Sequence, residues 1–311
     1  MRITTGMMAV TAAISMLAIQ TAAAQKAAPP ASPPTPAATP APPPPAPAKP
    51  ACANPNALGV SRVVAIDTTG GPGFGFEHFK QLDFLRDKEV VLTFDDGPWP
   101  VNTPAVIKAL DEECTKAIFF PIGKHATWHP EILKAVAAHG HTIGSHTWSH
   151  ANLNNKKLTD DQRKAEIEKG ISAVKWALGE APSPFIRFPA LQHPPSMVTY
   201  MGERNIAMWS CDADSFDFKA RNAKKIVDTV MNKLDKIGKG IILMHDFQKH
   251  TGEALPELLR RLKAGGYKVV QVKAKTRLES IAQYDEEVVK GLKQPTVNTR
   301  PVSSVVETIS E

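Results

Sequence analysis

Between Glu89 and Val272 the chain repeats one local plan: a short β-branched or apolar run, then a stretch with helical periodicity. The runs are 90–94 (VVLTF), 117–122 (AIFFPI), 142–144 (TIG), 185–188 (FIRF), 206–211 (IAMWSC), 240–244 (GIILM) and 268–272 (KVVQV). Helical patterns separate them. Pro104 opens one with Val106, Ile107 and Leu110, and Pro130 opens another with Ile132, Leu133 and Val136 that Gly140 closes. Thr159 and Gln162 form a capping-box pair ahead of Ile167, Ile171, Val174 and Leu178, with Gly179 at the end. Asn222 caps a helix carrying Ile226, Val230, Leu234 and Ile237, and Leu255, Leu258, Leu259 and Leu262 mark the last; 195–203 is a further helical stretch. Strands that alternate with helices pair in parallel. Seven such runs are one short of an eightfold barrel, so the expectation is a distorted or incomplete (β/α) barrel with about seven parallel strands. An open doubly wound sheet is the alternative. Both put function at the carboxyl ends of the strands.

The polar residues obey that rule. Asp95 and Asp96 end the first run, in TFDDGP; His146 and His150, in SHTWSH, follow the third; Arg187 lies at the fourth, in RFPAL. Asp212, Asp214 and Asp217 follow the fifth, in CDADSFDF, and His245 and Asp246 follow the sixth, in ILMHD. Two adjacent carboxylates at the end of a buried strand repel each other and require a cation or a chemical task. The four-residue spacing of His146 and His150 lets them face the same way on a helical turn. With one carboxylate they form a three-ligand site for a divalent metal with open positions; zinc suits the donors best, and cobalt or nickel also fit. The remaining carboxylate, kept ionised beside a metal, has the properties of a general base.

TFDDGP, GHTIGSHTWSH, RFP, DSFDF and ILMHD resemble, in order and spacing, the motifs of NodB-type polysaccharide deacetylases (carbohydrate esterase family 4), over about residues 88–275. The resemblance implies metal-dependent hydrolysis of N-acetyl groups on amino-sugar glycans such as peptidoglycan, chitin-like oligomers or exopolysaccharide. O-acetyl esterase activity on a polysaccharide, or glycan binding without turnover, are the alternatives. By motif position Asp95 is the base, Asp96, His146 and His150 hold the metal, and Arg187 orients Asp95. His245 is the general acid. Asp217 is its carboxylate partner, with Asp214 in reserve. The backbone N–H of Ala190 helps form an oxyanion hole, and Phe218 and Pro189 touch substrate. Two positions depart from the family pattern: Ala190 stands where tyrosine is usual, and Phe218 replaces tryptophan. The presence of every base, acid and ligand position favours an enzyme over a binding-only protein. His141 reads as a hydrogen-bonded core residue, whereas His125, His129, His139, His193 and His250 read as surface or rim, and Trp148 as packing.

The rest of the chain bears on location. Residues 1–24 carry Arg2, an apolar stretch and Ala22–Ala24, the pattern of a cleavable secretory signal rather than a membrane anchor. Residues 25–51, mostly Ala and Pro, read as an extended linker. Residues 52–87 form an N-terminal extension in which 62–68 (RVVAIDT) is a candidate added strand, and GGPGFG lacks the context of a phosphate loop. The catalytic domain is expected over 88–282 and a flexible tail over 283–311. An exported, periplasmic or secreted protein follows, with no stable membrane insertion after signal cleavage. The formal charge of +6 is spread through the chain, which is no nucleic-acid footprint; the expected partner is an acetylated polysaccharide. Of three cysteines, at least one stays unpaired; Cys114 and Cys211 read as core residues, and no C-x-x-C spacing exists.

Overall fold

The computed structural model describes residues 52–292. The expected signal, the linker and residues 293–311 of the expected tail lie outside the described residues. The strands are β1 (Arg62–Ile66), β2 (Gly73–Phe74), β3 (Glu89–Asp95), β4 (Ile118–Phe120), β5 (Thr142–Ile143), β6 (Phe185–Ile186), β7 (Ala207–Trp209), β8 (Ala213–Asp214), β9 (Gly240–His245) and β10 (Lys268–Ala274). The helices are α1 (Asn102–Glu112), α2 (Gly123–Trp128), α3 (Pro130–Ala138), α4 (Asp160–Leu178), α5 (Pro195–Glu203), α6 (Ala223–Ile237), α7 (Lys249–Ala264) and α8 (Ala282–Leu292).

Every strand pairing among these residues is parallel. One sheet of seven strands runs β8–β9–β3–β4–β5, with β10 and then β1 beside the start of β3; a second sheet runs β2–β7–β6. A single bridge, Ser145 to Ile186, links them, and no ladder joins β7 to β8 or β9 among the described residues. The result is the incomplete barrel expected. β8 is an extra short strand that CDADSFDF did not advertise, because two residues carry no periodicity.

β3 and β9 form the axis, and β3 is buried throughout. A parallel strand covered on both faces needs apolar side chains on both, which explains the unbroken runs. Val90, Leu92 and Phe94 pack outward against helix residues such as Val106, Leu110, Val230 and Leu258. Val91 packs inward with Ile118, Phe120, Phe185, Trp209 and Ile241. Full burial of such side chains stabilises by about 1.5–3 kcal/mol each. By the same alternation Thr93 and Asp95 share the inward face of Val91, so Asp95 crowns a filled interior.

The helix ends follow the sequence signals. Thr159 accepts from the Gln162 backbone N–H while the Gln162 side chain accepts from the Thr159 N–H, and Gly179 closes α4 at φ 82°. Asn222 caps α6 through the Lys225 N–H at 2.9 Å, and Gly238 ends it at φ 78°. The added strand expected in 52–87 is present as β1, which pairs with β10, and β2 pairs with β7, so the segment joins both sheets. Two expectations are corrected. Of the expected tail, residues 283–292 are helical and pack on α4 with the ion pairs Lys169–Glu287 and Lys175–Asp285, so they are not flexible tail. Cys114 is half-buried and bonded to Cys52, which leaves Cys211 as the free, buried cysteine; burial pushes its thiol up to about 12 and makes it inert.

The segment after β5 is gripped between α2 and α4. Gly123 and Lys124 donate to the carbonyls of Thr147 and Trp148 at 2.8 and 3.0 Å, and Trp148 N–H donates to Glu166 O at 2.7 Å. Gly170 makes this possible, since a methyl group there would collide with the Thr147 backbone. Gly170→Ala is therefore expected to destabilise by about 1–3 kcal/mol, although alanine is the better helix former. A denaturation midpoint equal to or above that of the wild type would contradict this packing.

Candidate metal and acid–base site

Because β3 and β9 pair in register, Asp95 lies directly opposite His245. The loops after β5, β6 and β8 close around this pair and leave a cavity of about 450 Å³. Asp95, Asp96, His146, His150, Ala190, Phe218 and His245 all line it, and so does Asp214. Arg187 and Asp217 stand behind Asp95 and His245, as their hydrogen bonds show. Pro189 is buried at the start of the short turn that carries Ala190, whose φ is 51°.

Arg187 is wholly buried. Its Nη1 donates to Asp95 Oδ1 at 2.7 Å and to Thr93 Oγ1 at 2.8 Å, Nη2 donates to Ser210 O at 2.8 Å, and Nε donates to Trp209 O at 3.2 Å. The guanidinium also lies 4.6 Å over the Phe120 ring. Asp95 Oδ2 is left facing His146 Nε2 at 3.8 Å.

Asp96 Oδ1 stands 3.5 Å from Nε2 of both His146 and His150. It is buried and accepts no hydrogen bond. An orphaned carboxylate oxygen facing two imidazole nitrogens fits a divalent cation. His146 Nδ1 lies 2.6 Å from the Arg187 carbonyl. A carbonyl can only accept, so Nδ1 holds the proton and Nε2 presents its lone pair. Burial pushes the His146 pKa down, against the pull of Asp95 and Asp96, which favours the neutral ligand form. The geometry differs from the helical turn expected: residues 146–150 are a loop with Thr147 at φ 65° and His150 at φ 61°. The left-handed residues bring the rings to 4.9 Å.

His245 Nδ1 lies 2.6 Å from Asp217 Oδ1, and Asp217 Oδ2 accepts from the His245 N–H at 2.7 Å and from Thr251 Oγ1 at 2.6 Å. Burial alone would lower the His245 pKa. The Asp217 hydrogen bond and the charges of Asp217, Asp95 and Asp96 outweigh it and raise the value to about 9. Asp214, the reserve candidate, instead accepts from the Phe216 N–H at 2.8 Å, and burial raises its pKa. Asp246 is buried and clamps the turn after β3 by accepting from Gly97 N–H and Thr103 Oγ1; burial raises its pKa to about 7.

His125 is half-buried, and its Nδ1 donates to the Asp96 carbonyl at 2.6 Å. Nothing in KHATW points to that contact, which depends on Asp96 adopting φ 74°. Phe188, Leu191, Leu243, Phe247 and Gln248 complete the wall; only their nearness to strand ends could have signalled them. His141 is a core residue, accepting from the Ala117 N–H at 3.3 Å, and burial lowers its pKa to about 3.

Residues 84–209 match the family model described as polysaccharide deacetylase. The chain is 32% identical over 202 residues to a peptidoglycan-N-acetylmuramic acid deacetylase of Bacillus subtilis, covering 65% of this chain and 41% of that protein. It is 31% identical over 209 residues to a chitooligosaccharide deacetylase of Sinorhizobium fredii, covering 60% of this chain and 95% of that one. A solved peptidoglycan deacetylase of Bdellovibrio bacteriovorus superposes with a TM-score of 0.62 at 33% identity, over 69% of this chain and 59% of that one. The chain thus spans less than half the length of the Bacillus subtilis relative and nearly all of the Sinorhizobium fredii one.

Asp217→Asn is expected to lower the His245 pKa by more than one unit, about 1.4 kcal/mol or more, because it removes the charge that favours the imidazolium. An NMR titration of His245 in metal-free protein reads this directly. An unchanged titration would show that Asp217 does not set the protonation of His245.

Proposed function

The chain belongs to the polysaccharide deacetylase family, and we propose that it is an exported, divalent-metal-dependent hydrolase that removes N-acetyl groups from an amino-sugar glycan of the cell envelope. The observation that carries the reading is one cavity in which Asp96, His146 and His150 are flanked by Asp95, held by Arg187, and His245, held by Asp217.

An amide is a weak electrophile with a poor leaving group. Its hydrolysis needs carbonyl polarisation, a base for water and an acid for nitrogen. Asp96, His146 and His150 would hold a divalent cation, which would supply Lewis acidity to the reaction; zinc suits two imidazoles and a carboxylate, and cobalt or nickel would fit the same donors. Asp95 takes the proton from the water as its oxygen bonds to the acetyl carbon. Arg187 fixes Asp95 Oδ1 and leaves Oδ2 for that proton. The Ala190 N–H donates to the developing oxyanion, a contribution of about 3 kcal/mol for one such donor. His245, with Nδ1 held by Asp217, gives its Nε2 proton to the nitrogen as the C–N bond breaks, so acetate and a free amine leave. An amine needs that proton more than an alcohol does. The proton that Asp217 helps hold on His245 suits a leaving amine.

Export rests on the 1–24 segment and on the Cys52–Cys114 disulfide, a bond that persists in oxidising compartments. Periplasmic or secreted residence suits a wall or extracellular glycan. No helix among the described residues is long and apolar enough to cross a membrane.

Chelation should abolish acetate release from N-acetylated glycan, and zinc or cobalt should restore it. Asp95→Asn is expected to keep the metal and lose at least about 100-fold in turnover, whereas His146→Ala should lose both. Metal analysis beside an acetate assay decides. Substantial turnover in Asp95→Asn would remove that residue from the base role, and full metal content in His146→Ala would remove the ligand assignment.

A further inference from the structure

The polysaccharide deacetylase match begins at residue 84, yet the segment before it packs against the mount of the site. Arg187 grips two consecutive carbonyls, those of Trp209 and Ser210. Whatever holds residues 209–212 therefore also holds Arg187 and, through it, Asp95. β6 pairs with β7 only as far as Met208. Beyond that point the N-terminal extension takes over. Phe74 pairs with Trp209, Ser210 N–H donates to Phe74 O at 2.7 Å, and Glu77 N–H donates to Cys211 O at 3.0 Å. Gly75, the last glycine of GGPGFG, sits at φ 97°, and a side chain there would collide with the Ser210–Cys211 backbone.

The next turn of the extension carries His78. Its Nδ1 lies 2.8 Å from the hydroxyl of buried Ser210, the residue whose carbonyl accepts from Arg187. Its ring stands edge-on to that of His193 at 4.7 Å, and Phe79 lies 5.2 Å from the same ring. His193 Nδ1 is 2.8 Å from the Leu191 carbonyl, which can only accept, so His193 donates and closes the short turn after β6. In that turn Ala190 and Leu191 are both left-handed, at φ 51° and 57°. Two successive side-chain-bearing residues in that region persist only where their surroundings hold them. His78, itself exposed, thus touches both the support of Arg187 and the support of the Ala190 N–H.

We propose that the N-terminal extension is a working part of the hydrolytic site and that His78 is its positioning residue: through Ser210 it fixes Arg187 and Asp95, and through His193 it fixes the turn that presents the Ala190 N–H. The proposal rests on the deacetylase reading above and adds a residue that lies outside the motifs carrying that reading. His78 does not line the cavity, so it acts on geometry and not on the reacting atoms. Asp95 Oδ2 and the Ala190 N–H serve one acetyl group from different elements, and a misplacement of about 1 Å in such an arrangement costs roughly 100-fold in rate. Both contacts matter most as the water oxygen bonds to the acetyl carbon. Their loss therefore falls on kcat and leaves KM nearly unchanged.

Acetate release from an N-acetylglucosamine oligomer is measured with zinc-loaded protein, and kcat is expressed per bound zinc so that unfolded protein does not count. His78→Ala should lower kcat by about tenfold to a hundredfold and change KM by less than about twofold. His78→Asn, whose amide falls where Nδ1 stood, should recover most of the loss. His78→Gln, whose amide falls near Nε2, should not. Deuterium exchange at the Arg187 Nε–H, followed by NMR in metal-free protein, should quicken about tenfold in His78→Ala and stay near the wild-type rate in His78→Asn. Wild-type kcat in His78→Ala would overturn the proposal. So would an equal loss in the asparagine and alanine variants, or an Arg187 exchange rate that ignores His78. If wild type releases no acetate while Arg187 exchange still responds to His78 in this order, the positioning role stands and the deacetylase reading falls.

Discussion

The buried Arg187 is the constraint on which the site depends. A fully buried guanidinium is tolerable only with a counter-charge and saturated donors, and Asp95, Thr93, Trp209 and Ser210 provide both. Its main chain does a second job, since its carbonyl selects the His146 tautomer. One residue thus couples the carboxylate expected to move a proton to the imidazole expected to hold a cation. Removing one partner of such a pair costs about 3–5 kcal/mol, because the other charge is left buried and alone.

This coupling explains how two adjacent aspartates end one strand. They are not equivalent. Asp95 continues the extended strand and meets Arg187 inside the barrel, whereas Asp96 turns into the left-handed region at φ 74° and aims at His146 and His150. Asp246 holds the turn that follows, and a side chain on Gly97 would collide with it. Each carboxylate therefore has its own cation or cation site, and their mutual repulsion is offset twice over.

The strands, the helix caps and the convergence of polar strand ends were legible, because burial on two faces, capping chemistry and parallel pairing all leave periodic marks. The loops were not. His146 and His150 share a site through left-handed residues rather than a helical turn, a conformation set by α2 and Gly170 closing on Thr147. The choice between Asp214 and Asp217 needed coordinates, because DSFDF offers both within one loop and Thr251, from α7, helps hold the second. His125 was invisible for a related reason: its significance lies in what Asp96 does with its backbone. The helix 282–292 was misread because its sequence is mostly polar: it buries Val288 alone and makes two ion pairs to α4, contacts that leave no apolar stripe to read.

The His245–Asp217 pair ties the expected acid chemistry to stability. A histidine whose pKa rises on folding stabilises the fold fully below its unfolded value, near 6.5, and loses that contribution as pH climbs through the folded value of about 9. The shift corresponds to about 3 kcal/mol, counted once for the pair. The Nε2 proton that would pass to the leaving nitrogen is therefore also the charge that strengthens the Nδ1–H contact between β9 and the Asp217 loop. Alkaline conditions should remove both together. A divalent cation at Asp96 would draw the His245 pKa back towards neutrality, so the bound metal narrows the window in which acid and base are both in their working forms. A carboxylate behind the histidine is what keeps that window open.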